Sequence, residues 1–189
     1  MFHPARNRIS GQTNNYALRL RQLAFLGDKT GTKALLTAAS SADRVLLCNL
    51  KGPKTGKNAM HRAAEKGHSD IIELMRDDYD ANAQDVDGNT ALHLLCLNFQ
   101  KNPAKYAPAI MAFIIKRPQS PAEALAMMNT FDPRDDVDLS IKNNHGEDVL
   151  TLFQAHCMTA KIENVGIKAG VKVTELLLRA ASDRASFTP

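Results

Sequence analysis

The chain has 189 residues, enough for one domain with a sizeable core, and its 44% hydrophobic and 23% charged residues give the balance of a globular protein rather than a disordered one. A formal charge of +4 is spread along the chain instead of packed into a dense stripe, which argues against a nucleic-acid partner; Arg6, Arg8, Arg19 and Arg21 near the start and Lys51, Lys54 and Lys57 in a loop read as solvated surface. The longest apolar run, Ala109–Ile115, is far short of the ~20 residues of a membrane helix, and Cys48, Cys96 and Cys157 are too few and too scattered for a disulfide framework or a zinc site, so a soluble cytoplasmic protein with free thiols is expected.

In chain order, residues 1–13 are polar and Arg-rich and read as a flexible N-terminal segment. From Asn14 to Leu26 a helix is expected, with Tyr16, Leu20, Leu23 and Leu26 at helical spacing and Gly27 as its stop; a second should run from about Thr32 to Ala39. Val45–Leu50 is a short apolar run opening into a Gly/Lys loop at 51–57. Asn58 then suits an N-cap, Met60, Ala63 and Ala64 form one apolar face, and Gly67 ends the helix. Ser69 should cap the next helix, with Ile71, Ile72, Leu74 and Met75 inward, before a polar turn from Asp80 to Gly88.

The strongest signal is an echo. Gly56-Lys-Asn-Ala-Met-His61 returns 32 residues later as Gly88-Asn-Thr-Ala-Leu-His93, and a blurred copy follows as Gly146-Glu-Asp-Val-Leu-Thr151. Asn58, Thr90 and Asp148 share one position, and all three are good N-caps. A period in the low thirties marks a stacked repeat protein, and such stacks usually present a binding surface. The run G-K-N-A-M-H-R-A-A-E-K-G-H-S-D-I-I-E-L-M, followed by D-A-N-A-Q-D-V-D-G-N-T-A-L-H, resembles the ankyrin repeat, clearly over 53–98, fairly over 136–157 and faintly at both ends. The resemblance implies an all-α repeat fold: an ankyrin-like solenoid of stacked helix-turn-helix units with hairpin-like fingers. It also implies that His61 and His93 tie neighbouring turns by hydrogen bonds.

A single repeat domain is expected over 14–181: an N-terminal cap at 14–50, a repeat at 53–86, a repeat with a helical insertion at 87–135, and a degenerate repeat with C-terminal cap at 136–181, then a tail at 182–189. The insertion follows from spacing, since Gly88 to Gly146 is 58 residues, about 25 more than one repeat needs. A helix from about Ala104 to Lys116 should carry Ile110, Phe113 and Ile114 inward, with Pro108 near its start. Ser120-Pro-Ala-Glu123 looks like a capping box opening an extra helix, Pro121–Asn129, that buries Leu125 and Met128. Val171, Val173, Leu176 and Leu177 mark an apolar face at the far end.

Three tempting motifs are absorbed by the repeat. Gly52–Asn58 resembles a phosphate-binding loop, but it has three residues between its glycines and Asn after its Lys, where the loop needs four and a Ser or Thr. His93 and Cys96 fall on repeat positions and read as a satisfied histidine and a buried thiol. Asp85-x-Asp87-Gly88 lacks the further ligands of a calcium loop. No catalytic residue, cofactor or metal ligand is assigned.

The resemblance places partner binding on finger tips and on exposed positions of the first helices. These are Gln84, Asp85, Asp87 and Asn89 with Val86 in one finger, and Asn143, Asn144 and His145 with Lys142 in the next. On the helices they are Arg62, Glu65 and Lys66, then Leu94, Leu97 and Asn98, then Leu152. Leucines in the place of Arg62 mean a sticky patch or a lid supplied by 99–135. A non-enzymatic protein-interaction module follows, monomeric, with a protein partner and neither nucleic acid nor membrane. The alternative is a small enzyme with a site in the insertion or the C-terminal third, lined by His145, His156, Cys157 or the acidic run Asp132–Asp138. The irregular stack is also similar to ankyrin proteins that intracellular bacteria deliver into host cells, and the polar tail to tails read by type IV secretion machinery; a secreted effector acting on a host protein is the setting that this implies.

Overall fold

The computed structural model describes residues 4–114 and 136–159, with side chains from Gly11 onward, together with Lys172, Glu175 and Arg179. Helices α1 (Pro4–Leu26), α2 (Lys29–Ala38), α3 (Ser41–Asn49), α4 (Ala59–Lys66), α5 (Ser69–Met75), α6 (Ala91–Asn98), α7 (Pro103–Ile114) and α8 (Val149–Leu152) follow in order. A 3-10 turn at Phe99–Lys101 joins α6 to α7, and α8 runs on as a π-helical stretch, Phe153–Met158. The helices form two rows. α1, α4, α6 and α8 pack one against the next, and α2, α5 and α7 lie in a second row against them.

Short helices at this spacing need defined ends, because each end leaves backbone groups without intrahelical partners. Asn58 Oδ1 accepts from His61 N at 3.0 Å, Thr90 Oγ1 from His93 N at 3.5 Å, and Asp148 Oδ1 from Thr151 N at 2.8 Å, so the shared cap position works in all three units. Gly67 closes α4 in the left-handed conformation, φ 67°. A Cβ there would also lie 3.0 Å from the Tyr106 ring of α7, so glycine gives that ring room as well as allowing the positive φ. Ser69 is the first residue of α5 rather than its cap; His68 holds the cap position without a capping bond, its Nε2 lying 3.2 Å from Phe25 O instead.

The core runs through both rows without a break. Ala63 and Ala64 are fully buried, and their small size lets α4 sit between α1 and α6. Phe99, Phe113 and Phe153 are the largest fully buried side chains, each contributing roughly 1.5–3 kcal/mol by leaving water. Phe113 meets Tyr79 edge to face, with ring centroids 5.5 Å apart.

Several elements differ from expectation. The first helix begins at Pro4, inside the stretch expected as a flexible lead-in. Its buried residues are Ala17, Leu20, Leu23 and Ala24, while Tyr16 and Leu26 are 53% and 70% exposed. The apolar run Val45–Leu50 belongs to a helix, α3, capped by Ser40, whose Oγ accepts from Asp43 N and donates to Asp43 Oδ2. Only Leu47 and Cys48 of that run are buried; Val45 and Leu46 face solvent. α3 is held by the turn after α5: Arg44 pairs with Asp78, Asn49 Nδ2 donates to Asp78 O, and Asn49 Oδ1 accepts from Asp80 N. Pro108 lies in the body of α7 rather than near its start. Ile110, Phe113 and Ile114 are buried as expected. The expected helix at Pro121–Asn129, and Val171, Val173, Leu176 and Leu177, lie outside the described residues. Among the three described positions beyond, Lys172 and Arg179 both close on buried Glu175.

Candidate functional site

The fingers are built by one pattern used twice. In the second finger, Asp85 N donates to Asn89 O at 2.9 Å while Asp85 Oδ1 accepts from Asp87 N and Asn89 N. In the third, Asn143 N donates to Glu147 O at 3.0 Å while Asn143 Oδ1 accepts from His145 N and Glu147 N. The fingers are also stitched to each other. Val86 N donates to Thr55 O at 3.1 Å, and Asn144 N to Asp87 O at 2.9 Å. Behind these bonds, His61 Nε2 meets Asn89 O at 3.1 Å and His93 Nε2 meets Glu147 O at 3.2 Å, as the resemblance implied.

This stitching decides which finger residues offer free surface. Asp85, Asn89 and Asn143 are buried, because their side chains hold the turns, and Asn143 Nδ2 donates across to Asn89 Oδ1. Gln84 is half-buried, with Nε2 donating to Gly88 O and Lys142 O. Asn144 is exposed, yet its Nδ2 donates to Val86 O. Val86, Asp87 and His145 are exposed at the tips. The expectation of accessible contact residues is therefore corrected at Asp85, Asn89 and Asn143.

It is corrected again on the inner helices. Leu94 is 6% exposed and Leu152 fully buried; α6 packs against α4 on one side and against α8 with its π-helical continuation on the other. Leu97 is half-buried against the core, and Asn98 folds back to donate to Leu94 O. The row that looked sticky in sequence is thus packed at this end. Whether the inserted segment lies over it falls outside the described residues.

The open part of the row is at α1 and α4. Leu18, Arg19, Arg21, Gln22, Phe25, Leu26 and Arg62 line a groove of about 490 Å³. Leu18 and Leu26 stand 49% and 70% exposed beside Phe25 at 36%. Lys66 Nζ lies 4.4 Å from the Phe25 ring centroid and the Arg62 guanidinium 5.8 Å from it, positions at which a cation is attracted by the ring. Glu65 accepts from Arg62 at 3.0 Å and pairs with Lys57 at 3.4 Å. Arg21 donates to Leu50 O at 2.8 Å; burial, and then the like charge of Arg62, hold its guanidinium below the ordinary arginine value. Of the expected residues, Arg62, Glu65 and Lys66 are brought together here. Leu18 and Phe25 were not read from sequence, and Leu26 only as a position of the first helix, although an apolar stripe on α1 offset from Ala17, Leu20 and Ala24 was visible there.

The motifs that suggested chemistry have structural positions. In the Gly52–Asn58 loop, Gly52 N donates to Lys57 O and Gly56 N to Gly52 O, so these amides are spent inside the finger instead of pointing at a phosphate. Cys96 and Cys157 are buried against each other between α6 and the π-helical stretch, and their mutual hydrogen bond together with burial pushes the Cys96 thiol well up. His145 sits on a finger tip, and three grooves among the described residues are lined by neither it nor His156 nor Cys157. No described helix is long and apolar enough to cross a membrane.

Comparison with known proteins agrees with this architecture. The family described as ankyrin repeats (3 copies) matches residues 14–107, and so takes in α1–α3, where the sequence resemblance was faint. No curated protein matches the sequence. A chain in the crystal structure of the yeast ribosomal protein Rps3 in complex with its chaperone Yar1 superimposes with a TM-score of 0.53 at 19% identity, over 85% of this chain and 88% of that one. At that identity the likeness concerns the fold. With the repeated caps, the His ties and the finger stitching of the described residues, the family match over residues 14–107 shows that the chain is an ankyrin-repeat protein.

Proposed function

We propose that this chain is a non-enzymatic protein-interaction module that presents its inner helices and finger tips to a protein partner. The observation that carries the reading is the contrast along one face: α6 and α8 are packed shut at Leu94 and Leu152, while α1 and α4 leave Leu18, Phe25 and Leu26 exposed beside Arg62 and Lys66. The stitched fingers support it, because a pre-formed surface loses little ordering entropy when it binds. The matched structure comes from a complex of a ribosomal protein with its chaperone, which agrees with a binding role for the fold. A monomer in a cytoplasmic, reducing compartment is part of the proposal, supported by three cysteines that are free and buried. The setting of a bacterial effector rests on the inserted helix expected at 121–129 and on the tail, which lie outside the described residues.

Cross-linking of the tagged chain in a cytosolic lysate, read by mass spectrometry, tests this. Wild type should cross-link to a protein from α4 or the finger tips. Arg62→Glu or Asp87→Arg should lose the cross-link while melting at the wild-type temperature. Retention of the same proteins by every surface variant, or of none by the wild type, would contradict the proposal.

A further inference from the structure

Resting on that reading, we propose that the groove between α1 and α4 docks an acidic protein segment carrying one large apolar anchor side chain. Charge comes first. Arg19, Arg21, Arg62 and Lys66 border the groove or its Phe25 wall. The carboxylate among them, Glu65, is already shared by Arg62 and Lys57. Arg21 and Arg62 stand close enough for each to oppose the other's charge. Anionic side chains entering here would relieve that repulsion as well as gain direct attraction.

The apolar content selects the kind of anion. Leu18 and Leu26, about half and two-thirds exposed, line the groove together with Phe25. An aliphatic or aromatic side chain laid between them would remove apolar surface from water, with charged residues as its rim. A nucleic acid would use cations and aromatic faces but gain nothing from two leucines, and the Phe25 ring already carries Lys66 and Arg62. A second copy of the chain is disfavoured too, since a two-fold dimer through this groove would set the same cations against each other. Along α1 the groove runs from Leu18 to Leu26, roughly 12 Å at helical rise, so it can receive about two turns of a helix or a few residues of an extended strand.

Selection from a displayed library of random peptides, about 16 residues long, tests this without the natural partner. The expected pool is rich in Asp and Glu around one or two large apolar residues. A peptide from it, labelled and followed by fluorescence anisotropy, should bind the Arg62→Glu, Lys66→Glu double variant about tenfold more weakly or worse. Leu26→Asp, a change at an exposed position, should weaken it likewise, and binding should fall steeply between about 50 and 300 mM salt. Circular dichroism melts guard against unfolding. A basic or uncharged pool, binding indifferent to both variants, displacement by a single-stranded oligonucleotide, or a Leu26-dependent dimer in sedimentation would overturn the proposal. If selected peptides respond to Asp87→Arg and not to Arg62→Glu, this docking site fails while the interaction module stands. If the chain selects no peptide and cross-links to no protein, both fail.

Discussion

His61 reaches from one repeat into the next: its Nε2 lies 3.1 Å from the carbonyl oxygen of Asn89, so Nε2 carries the proton and donates. In that tautomer Nδ1 accepts from the Asn58 backbone N–H at 3.4 Å, and it also lies 2.6 Å from Asn58 Oδ1. Both nitrogens are thus spoken for in the neutral ring. His93 repeats the arrangement, with Nε2 to Glu147 O at 3.2 Å and Nδ1 2.7 Å from Thr90 Oγ1.

Acid should therefore loosen the stack. Burial lowers the His61 pKa to about 4, against the pull of the Asn89 carbonyl, and burial likewise lowers that of His93. Both rings are neutral in the fold and charge more readily once unfolded. The sign is a stability present in full above pH 6.5, the unfolded value, and lost as pH falls toward 4. For His61 the loss is on the order of 3 kcal/mol. Urea midpoints at several pH values should fall through this window, and His61→Gln should flatten the fall. A midpoint independent of pH would contradict the assignment.

The caps should differ in weight according to burial. Asn58 is fully buried and its Oδ1 bond to His61 N is shut off from water, so Asn58→Ala should cost about 1–2 kcal/mol. Asp148 is half-buried, and solvent can replace part of its bond to Thr151 N, so Asp148→Ala should cost about 0.5–1 kcal/mol. Denaturant titration of the two variants checks the order.

Two glycines at the same finger position should also part company. Gly88 and Gly146 both have positive φ, 75° and 78°, so alanine at either costs about 1–2 kcal/mol of backbone strain. At Gly88 the added Cβ would stand 2.8 Å from Asn144 N, in the stitch between fingers, whereas at Gly146 it would meet nothing within 4 Å. Gly88→Ala should be clearly the more destabilising of the two in thermal melts.

The thiols should be silent until the chain unfolds. Cys48 is pushed up to about 12, chiefly by burial and further by the negative charge of Asp78, and Cys96 is raised by its bond to Cys157 and by burial. A thiol-reactive chromophore at pH 8 should titrate no cysteine in the native protein and all three in denaturant.

What was legible in sequence is what local chemistry decides. Asn58, Thr90 and Asp148 read as caps because a short polar side chain before an apolar run has few other uses, and Gly67 as a helix stop because a left-handed residue prefers no Cβ. The helix α3 was hidden because Val45–Cys48 is a continuous apolar run, in which helical and extended periodicities look alike. Ser40 with Asp43 three residues on was the signal that pointed to it. Leu94 and Leu152 were misplaced for a different reason. The repeat position that is partly exposed at Arg62 is buried at Leu94 and Leu152, where α6, α8 and the π-helical extension pack together, and no local pattern encodes that packing. Phe25 and Leu26 escaped for the converse reason: they stay exposed on α1, Phe25 with the cations of Lys66 and Arg62 over its ring, and the helical spacing read for Leu26 gave no sign of that.

Hydroxyl-radical footprinting of the free protein, quantified residue by residue, tests the placement of the open surface most directly. Phe25 and Leu26 should be oxidised rapidly, while Leu94, Leu152 and the equally apolar Leu95 should stay protected until the protein unfolds. Oxidation of Leu94 and Leu152 as fast as Leu26, or protection of Phe25 and Leu26 in the free chain, would contradict the account.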